Sequence, residues 1–344
     1  MSAVVEIADT PATSCAPEPQ SGLVSVVIST FNGGAYLQTA IQSILRQTYA
    51  SWELLVIDDG STDGSVAAAQ ARFSDERIRW FRQPNQGKPV AMNLALRELR
   101  GEFYALQDAD DVSLPHRLEA LVAAMRNHPS VAGVFSGYEL IIQDQHLAPR
   151  CRAKSPTECR EDIEQYSMPS LDPTAMYRMS YVRDLTYNET YRIGQGLDYI
   201  LRIGEQHPLL VVGDVLYGYR IHSVSITKRD PARRNAAIRQ VLSAAAARRY
   251  GGDEASSATF SAHDASADND LSVHFLESVH DLKALGRVGE AFQVAWRCLQ
   301  LGPARRTHYK PLVLAMLPLP VVDWVRQRQA LRRKARILRH QEQV

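Results

Sequence analysis

The sequence predicts an α/β protein built on a mostly parallel sheet flanked by helices. Short apolar runs alternate along the chain with segments whose apolar residues recur at helical spacing. Strands that alternate with helices in this way are typical of parallel sheets with right-handed crossovers. Two of the apolar runs are followed directly by acidic, turn-forming residues. Because such sheets bind their ligands at the carboxyl ends of the strands, these acids indicate a binding site.

The amino-terminal part of the chain shows the alternation most clearly. Val24 to Ile28 is a nearly continuous apolar run, as expected for a strand buried on both faces. Leu37, Ile41 and Ile44 follow at the spacing of one helix face. The same pattern predicts strands at 52–57, 78–81, 103–106 and 131–135, and helices at 66–73, 90–99 and 115–127, the last opened by Pro115.

The rest of the chain has a looser pattern, which suggests where the domains end. A helix is predicted at 197–205, strands at 209–212 and 216–221, and further helices at 275–285 and 289–299. Residues 1–22 are rich in Pro, Ser and Ala and predict a flexible leader, and residues 251–270 predict a linker. The main domain would span 23–250, with halves at about 23–138 and 139–250, and a helical region with a basic tail would occupy 271–344.

Composition narrows the class of protein. An apolar content of 45% and a charged content of 22% suit a globular protein with a substantial core. The formal net charge of +1 argues against a nucleic-acid partner. The cysteines show neither metal-site nor disulfide spacing, which is typical of reduced thiols in the cytoplasm. The longest apolar stretch, Leu312 to Val322, contains two prolines and is shorter than the ~20 residues of a membrane-spanning helix.

An acidic motif, Gln107-Asp108-Ala109-Asp110-Asp111, follows the predicted strand at 103–106. Alternate side chains of an extended segment share a face, so Asp108 and Asp110 can point towards one ligand. Carboxylate oxygens are the preferred ligands of hard divalent cations, which neutralise the charge of a diphosphate leaving group. The motif therefore predicts a cation site, although an acidic turn that caps the next helix would have the same composition.

Two further motifs follow strands of the same predicted sheet. The stretch from Asp58 to Gly64 can offer a carboxylate to the N–H of a pyrimidine base, while its glycines allow a tight turn. The stretch from Ser29 to Gly34 offers Phe31 for stacking on a base. The alternatives are a helix N-cap in the first motif and a core position for Phe31 in the second.

Together these motifs resemble those of family 2 glycosyltransferases of the GT-A fold. The matching stretches are Val24-Ser-Val-Val-Ile-Ser-Thr-Phe-Asn32, Ile41-Gln-Ser-Ile-Leu-Arg-Gln-Thr48, Leu55-Val-Ile-Asp-Asp-Gly-Ser-Thr-Asp63, Asn85-Gln-Gly-Lys88 with Asn93, and Asp108-Ala-Asp-Asp-Val-Ser-Leu-Pro-His-Arg-Leu118. The resemblance covers about Val24 to His222. It implies a Rossmann-like nucleotide-binding half and the transfer of a hexosyl group from a nucleotide-diphosphate sugar.

The resemblance also implies a role for each matching residue. Asp59 falls where the family binds the base, and Phe31 falls where an aromatic ring stacks on it. Asp108 corresponds to the first acid of the D-x-D motif, near the ribose and the metal, and Asp110 to the acid that ligates the metal, Mn²⁺ or Mg²⁺. The resemblance further implies that the nucleotide sugar is contacted by Ser29, Thr30, Asn32 and Lys88. His222 would contact the metal or the diphosphate, and the alternative for His222 is a plain surface role.

The catalytic base departs from the family pattern. Family members invert the anomeric carbon, and a carboxylate takes the proton of the acceptor hydroxyl. When the sequences are aligned on Arg202, the usual acids fall on Gln195 and Gly196. Asp198 is the predicted base, and the alternatives are Glu189, Asp172 or a protein of weakened activity.

The implied function is a step in cell-surface polysaccharide or glycoconjugate assembly, with a UDP-, dTDP- or GDP-sugar as donor and a glycan or glycolipid as acceptor. One rival is a nucleotide-sugar-binding protein with weak or lost turnover, because Gln195 and Gly196 replace acids. The other is a nucleotidylyltransferase, which would carry a Gly- and Arg-rich loop after the first strand. Residues 29–34 contain no such basic loop.

The stretch from Tyr309 to His340 combines apolar side chains with a cluster of Arg and Lys. This combination suits an anionic membrane surface, and a helical cap packed on the catalytic domain is the alternative. We therefore expect a cytoplasmic protein that can lie peripherally on the cytoplasmic face of the inner membrane.

Overall fold

The computed structural model describes residues 5–6, 19–222, 231–251, 271–301 and 305–324. Most of the predicted leader, residues 252–270 of the predicted linker and residues 325–344 of the basic tail lie outside these ranges. The chain divides into two compact units. The first comprises Met1–Tyr138 and Ala153–Arg220, and the second comprises Glu139–Arg152 and Ile221–Val344.

A mixed sheet organises the fold. Its strands are β1 (Val5–Glu6), β2 (Gln20–Thr30), β3 (Trp52–Asp58), β4 (Ile78–Arg82), β5 (Gly101–Leu106), β6 (Val112–Ser113), β7 (Gly133–Ile142), β8 (Gln145–Arg150), β9 (Met176–Arg178) and β10 (Leu209–Arg220). The order is β1-β4-β3-β2-β5-β9-β7-β10-β6, and β8 pairs with β7. The pairs from β1 to β5 are parallel, whereas β9 is antiparallel to both β5 and β7, and β6 to β10.

The helices of the first unit are α1 (Tyr36–Leu45), α2 (Ser65–Arg72), α3 (Lys88–Glu98), α4 (Arg117–Asn127), α5 (Pro156–Glu164), α6 (Met179–Val182) and α7 (Gln195–Gln206). Leu37, Ile41 and Ile44 of α1 are buried in the same core as Ile28 and Val56 of the sheet. Full burial of such a side chain contributes about 1.5–3 kcal/mol. The predicted α/β class is therefore confirmed, and the parallel half is the part that the apolar runs predicted.

Several predicted boundaries differ from the structure. Helix α4 begins at Arg117 rather than Pro115, whose carbonyl instead accepts the N–H of Thr48 at 2.9 Å. Strand β7 runs from Gly133 to Ile142 rather than 131–135, and one continuous strand, β10, replaces the two predicted at 209–212 and 216–221. Part of the predicted leader is strand, because β2 begins at Gln20 and Val5 pairs with Phe81 of β4.

The described residues of the second unit beyond residue 230 are largely helical, as predicted for the carboxyl-terminal region at 271–344. Its helices include Pro231–Tyr250, Leu271–Ala284, Val288–Leu301 and Lys310–Met316. Lys283 donates to the carbonyls of Leu314 and Ala315, each at 2.9 Å, and so satisfies the carboxyl end of the Lys310–Met316 helix. Among the described residues, no helix has both the length and the apolar character that a membrane crossing requires.

Candidate active site

The three predicted motifs meet at one edge of the sheet. Strands β3, β2 and β5 are parallel neighbours, with Thr30 paired with Asp58 and Val27 paired with Leu106. The loops that follow these strands therefore emerge side by side, as expected at the carboxyl edge of a parallel sheet.

The loop after β2 is tied to the loop after β3. The backbone N–H of Asn32 donates to Ser61 Oγ at 3.0 Å, and Asn32 Oδ1 accepts the N–H of Thr62 at 2.8 Å. Asn32 has a φ of 53°, a left-handed conformation that Asn tolerates better than most residues. Phe31 beside it is 52% exposed, so it is not a core residue and its ring is available for stacking.

Ser29 and Thr30 form the end of β2 beneath this loop. Ser29 is half-buried, and Thr30 is buried with an Oγ1 that has no hydrogen-bond partner among the described residues. A Cβ atom at Gly33 would lie 2.6 Å from this oxygen, so only glycine fits there without movement. The hydroxyl of Thr30 is thus packed under the loop that carries Phe31.

The carboxylate of Asp59 organises the segment that leads into α3. It accepts the Gln83 side-chain amide at 2.8 Å and the backbone N–H groups of Gln86 and Gly87, each at 2.9 Å. A carboxylate offers about four lone-pair sites, so three donors leave room for one more. Asp59 can therefore hold this segment and still accept a base N–H.

Lys88 begins α3 and lies against the acidic motif. Its Nζ donates to Asp108 Oδ1 at 2.5 Å. Burial lowers the pKa of Lys88, but the negative charges of Asp108, Asp172 and Asp110 more than offset that effect and raise the pKa above its ordinary value. A permanent cation thus lies beside the acids.

The acidic motif forms a cluster of three carboxylates. Ligand atoms of Asp108, Asp110 and Asp111 all lie within 4.8 Å of one another. Asp111 is 1% exposed, and its Oδ1 accepts the backbone N–H of Arg220 at 2.8 Å. Burial raises the pKa of Asp111 well above its ordinary value, and the charges of Asp110 and Asp108 raise it further. The sequence predicted the other two acids but not Asp111, although it is the last residue of the same motif.

This cluster fits a divalent cation. Its donors are carboxylate oxygens, which Mn²⁺ and Mg²⁺ favour. Asp111 Oδ2 is buried and has no hydrogen-bond partner in the described part of the chain, so it lacks the compensation that a buried charge requires. A cation held by the three acids would supply that compensation. His222 belongs to the second unit, and its predicted contact with the metal stays a prediction.

The predicted base, Asp198, lies in the first turn of α7 and is 2% exposed. Its Oδ2 accepts Arg202 Nε at 2.9 Å and Nη2 at 2.8 Å, and Arg202 also donates to the carbonyl of Thr186. The alternative Glu189 accepts the side-chain amide of Asn93 at 2.9 Å. Both acids therefore hold the segment that precedes α7.

The other alternative, Asp172, lies where the charges of Lys88 and Asp108 act on it. It begins a short 3₁₀ turn, Asp172–Thr174, and its Oδ1 is buried without a hydrogen-bond partner among the residues described. Burial raises the pKa of Asp172 to about 6, while the charge of Lys88 opposes this shift and that of Asp108 adds to it.

Arg117 fixes this turn to the end of β5. It is fully buried, and its Nη2 donates to the carbonyls of Leu106 and Pro173, both at 2.8 Å. Arg117 Nη1 donates to Ser113 Oγ, also at 2.8 Å. Arg117 belongs to the last of the matching stretches, but the sequence indicates no role for it, because three of its partners, Leu106, Pro173 and Ala175, belong to other segments of the chain.

The family model described as "Glycosyl transferase family 2" matches residues 25–186. This part of the chain belongs to glycosyl transferase family 2. This family 2 region, residues 25–186, contains every residue predicted to bind the nucleotide sugar, the acidic cluster and Asp172. Asp198 and His222 lie beyond it.

A curated relative of the family 2 region is the Escherichia coli protein "UDP-Glc:alpha-D-GlcNAc-diphosphoundecaprenol beta-1,3-glucosyltransferase WfgD". It is 35% identical over 120 residues, which are 35% of this chain and 47% of WfgD. Across eight curated relatives, including WfgD, the chain spans between 17% and 58% of the length of the relative.

Solved structures share the GT-A fold with this chain. S. aureus TarS 1-349 in complex with UDP-GlcNAc superposes with a TM-score of 0.57 at 16% identity, over 84% of this chain and 88% of the TarS 1-349 chain. The mannosyltransferase PcManGT from Pyrobaculum calidifontis, in complex with GDP-Man and Mn²⁺, superposes with a TM-score of 0.50 at 19% identity, over 85% of each chain. At these identities the likeness establishes the fold alone.

Proposed function

We propose that the protein transfers a hexosyl group from a nucleotide-diphosphate sugar to an acceptor hydroxyl, with inversion at the anomeric carbon. The observation that carries the proposal is the convergence of a lysine and three carboxylates on the edge where Phe31 and Asp59 lie. Binding of a nucleotide diphosphate requires an aromatic ring on which the base stacks, a cation and a positively charged side chain. The first unit contains residues suited to each of these.

The nucleoside would stack on Phe31 and donate to Asp59, with Ser29, Thr30 and Asn32 shaping the pocket. Asp110 would be the main protein ligand of Mn²⁺ or Mg²⁺, with Asp108 and Asp111 beside it. When bound, the cation would neutralise charge that develops on the leaving diphosphate. Lys88 would share that task, because its pKa keeps it protonated at neutral pH.

The acceptor is a glycan or glycolipid in this proposal, and the product belongs to a cell-surface polysaccharide or related glycoconjugate. The name of WfgD, which specifies a diphosphoundecaprenol-linked acceptor, supports a lipid-linked sugar. Such an acceptor lies in a membrane, so a transferase that uses it has to work at the membrane surface.

The second unit suits docking on an anionic membrane at the cytoplasmic face. Met316 is 65% exposed and Trp324 is 54% exposed, and Tyr309 and Val313 are also exposed. The sequence that follows is rich in Arg and Lys. Apolar side chains beside a basic segment bind anionic lipid by burial and by charge.

The two rival functions are distinguished from the proposed one in different ways. A nucleotidylyltransferase is disfavoured because the loop after β2, residues 29–34, carries no Arg or Lys. A binding protein without turnover would share the donor site, so it has to be separated by measurement of product.

The deciding experiment screens UDP-Glc, UDP-GlcNAc, dTDP-Glc and GDP-Man with and without Mn²⁺. Thermal shift reports binding, since a ligand at a hundredfold excess over Kd adds about 2.7 kcal/mol to stability. Release of the nucleoside diphosphate reports turnover. We expect one donor to stabilise the protein with Mn²⁺ and to be slowly hydrolysed. Stabilisation with no release, in the presence of glycolipid extract as acceptor, would favour the binding protein.

A further inference from the structure

The turn at Asp172 and the first turn of α7 lie so close together that no side chain fits between them. A Cβ atom at Gly196 would lie 2.1 Å from Asp172 Oδ2 and 2.4 Å from its Cγ. Real Cβ atoms do not approach other atoms so closely. The Asp172 carboxylate therefore fills the space that a side chain at position 196 would enter, and position 196 is where an acid of the family pattern falls.

We infer that Asp172 is the general base of the transfer reaction and that it replaces, from a different segment, the carboxylate missing at Gly196. The inference rests on the proposed transferase function. It assigns Asp198 a positioning role, because that side chain is buried and paired with Arg202.

The hydrogen bonding of Asp172 agrees with this assignment. Its Oδ1 is buried and unpaired within the described ranges. An unpaired buried acceptor is unfavourable, so an incoming hydroxyl that donates to it would remove a free-energy penalty. Asp198, in contrast, accepts from two nitrogens of Arg202, and Glu189 accepts from Asn93.

The surroundings of Asp172 place it at the donor site. Lys88 and Asp108 are the charged groups that act on it, and both belong to the predicted diphosphate and metal region. Arg117 holds Pro173 to the end of β5, two residues before Asp108, so the turn is rigidly positioned. A pKa of about 6 is close to the value at which a carboxylate works best as a base near neutral pH.

In the reaction, the oxygen of the acceptor forms a bond to the anomeric carbon as the bond from that carbon to the phosphate oxygen breaks. The electron pair of the broken bond leaves with the nucleoside diphosphate. The hydroxyl proton passes to a carboxylate oxygen of Asp172, which later releases it to solvent. No oxidant or further co-reactant is needed.

The test compares water with azide as acceptors for the donor that the screen identifies. Water must lose a proton during attack, whereas azide has none to lose, so only the first reaction needs a base. We expect D172N to lower hydrolysis by about 10²–10⁴-fold while retaining formation of the glycosyl azide and the affinity for the nucleoside diphosphate. D198N should leave the ratio of azide to water transfer unchanged, and so should the control D184N, which changes an exposed aspartate.

A second pair of variants moves the carboxylate back to the helix. D172A removes it, and D172A/G196D supplies it from position 196, where the space has been vacated. We expect the double variant to hydrolyse the donor at least tenfold faster than D172A. Failure of this recovery, together with an unchanged azide-to-water ratio in D172N, would overturn the inference. If the wild-type protein releases no nucleoside diphosphate from any donor, the proposed function fails, and the inference fails with it.

Discussion

The acidic cluster places the carboxylates of Asp108, Asp110 and Asp111 close together, beside Lys88. Such an arrangement is unfavourable without a cation, because like charges raise one another's pKa and buried carboxylates need compensation. The arrangement also explains why Asp111 was not predicted: an i, i+2 pattern selects Asp108 and Asp110, whereas the fold turns Asp111 inward to the backbone of Arg220.

The first prediction concerns the cation. Asp110→Asn should abolish sugar transfer and remove the Mn²⁺-dependent part of nucleoside diphosphate binding, as measured by calorimetry with and without Mn²⁺. The control is Asp214→Asn, which changes an exposed acid of β10 and should leave both unchanged. Full transfer in excess chelator would contradict the metal assignment.

The second prediction concerns the ionisation of Asp172 in the unliganded protein. Its pKa is raised from 3.8 to about 6 by burial, in the field of Lys88 and Asp108, so folding favours its protonated form. The stabilisation that this group contributes to the folded state is therefore complete below pH 3.8 and is lost as the pH rises through about 6. The loss amounts to a few kcal/mol, since each pKa unit corresponds to about 1.4 kcal/mol.

Denaturant unfolding of wild type and Asp172→Asn at several pH values between 4 and 7 measures this effect. Groups common to both proteins cancel in the difference, so wild type should lose stability relative to the variant as the pH rises. A difference that stays flat across this range would contradict the raised pKa.

At the scale of elements, the segment between β4 and α3 depends on Asp59, which is buried at the end of a neighbouring strand. Gly87 ends this segment with a φ of 96°, a conformation that favours glycine, and the next residue is Lys88. The base site and the phosphate site are therefore connected, because the carboxylate expected to bind the base also positions the lysine expected to bind the phosphates.

The third prediction follows from that connection. In Asp59→Asn, one carboxylate oxygen becomes an amide nitrogen, so the variant can no longer accept from all three partners. We expect a loss of about 1–3 kcal/mol in unfolding free energy and weaker binding of the nucleoside diphosphate. Asp75→Asn is the control, since Asp75 holds a solvent-accessible turn through Arg77 and a surface ion pair contributes about 0.2–1 kcal/mol. Equal losses in the two variants would contradict a special role for Asp59.

The elements differ in how well the sequence predicted them. Strands β2, β3 and β5 were predictable because they are buried on both faces and leave continuous apolar runs. Strand β6 has two residues and β9 has three, too few to show any period. Asp172 appeared only as an alternative, since its proximity to Gly196 depends on two segments that approach each other through the fold. Local pattern thus indicated the residues that we propose to bind the donor, whereas the proposed base emerged only from three-dimensional contacts.

At the scale of the whole molecule, the two units carry different chemistry. The first holds the polar site, and the second exposes large apolar side chains on described helices whose other faces are buried. In the helix Val288–Leu301, for example, Ala291, Ala295 and Cys298 are buried while Phe292 and Trp296 are exposed. This helix therefore has apolar residues on both sides, which agrees with the proposed docking on lipid.

The fourth prediction tests that docking. Replacing Arg332, Arg333, Lys334 and Arg336 by Ser should weaken binding to vesicles that contain anionic phosphatidylglycerol, at about 1 kcal/mol per cation. Cosedimentation at low and high salt measures the effect, and vesicles of neutral phosphatidylcholine are the control. Hydrolysis of the donor in solution should not change. Binding that is equal for both proteins and insensitive to salt would favour a packed helical cap.

The contact between Asp172 and Gly196 also constrains how this chain can change by mutation. A side chain at position 196 collides with the carboxylate of Asp172, and loss of Asp172 alone leaves the pocket without either acid. The two positions are therefore epistatic: we expect each single replacement to be harmful in the original sequence, whereas the paired exchange is tolerated. Among related chains, we expect a carboxylate at 172 to occur with glycine at 196, and an acid at 196 to occur with a different residue at 172. An alignment in which the two positions vary independently would contradict this coupling.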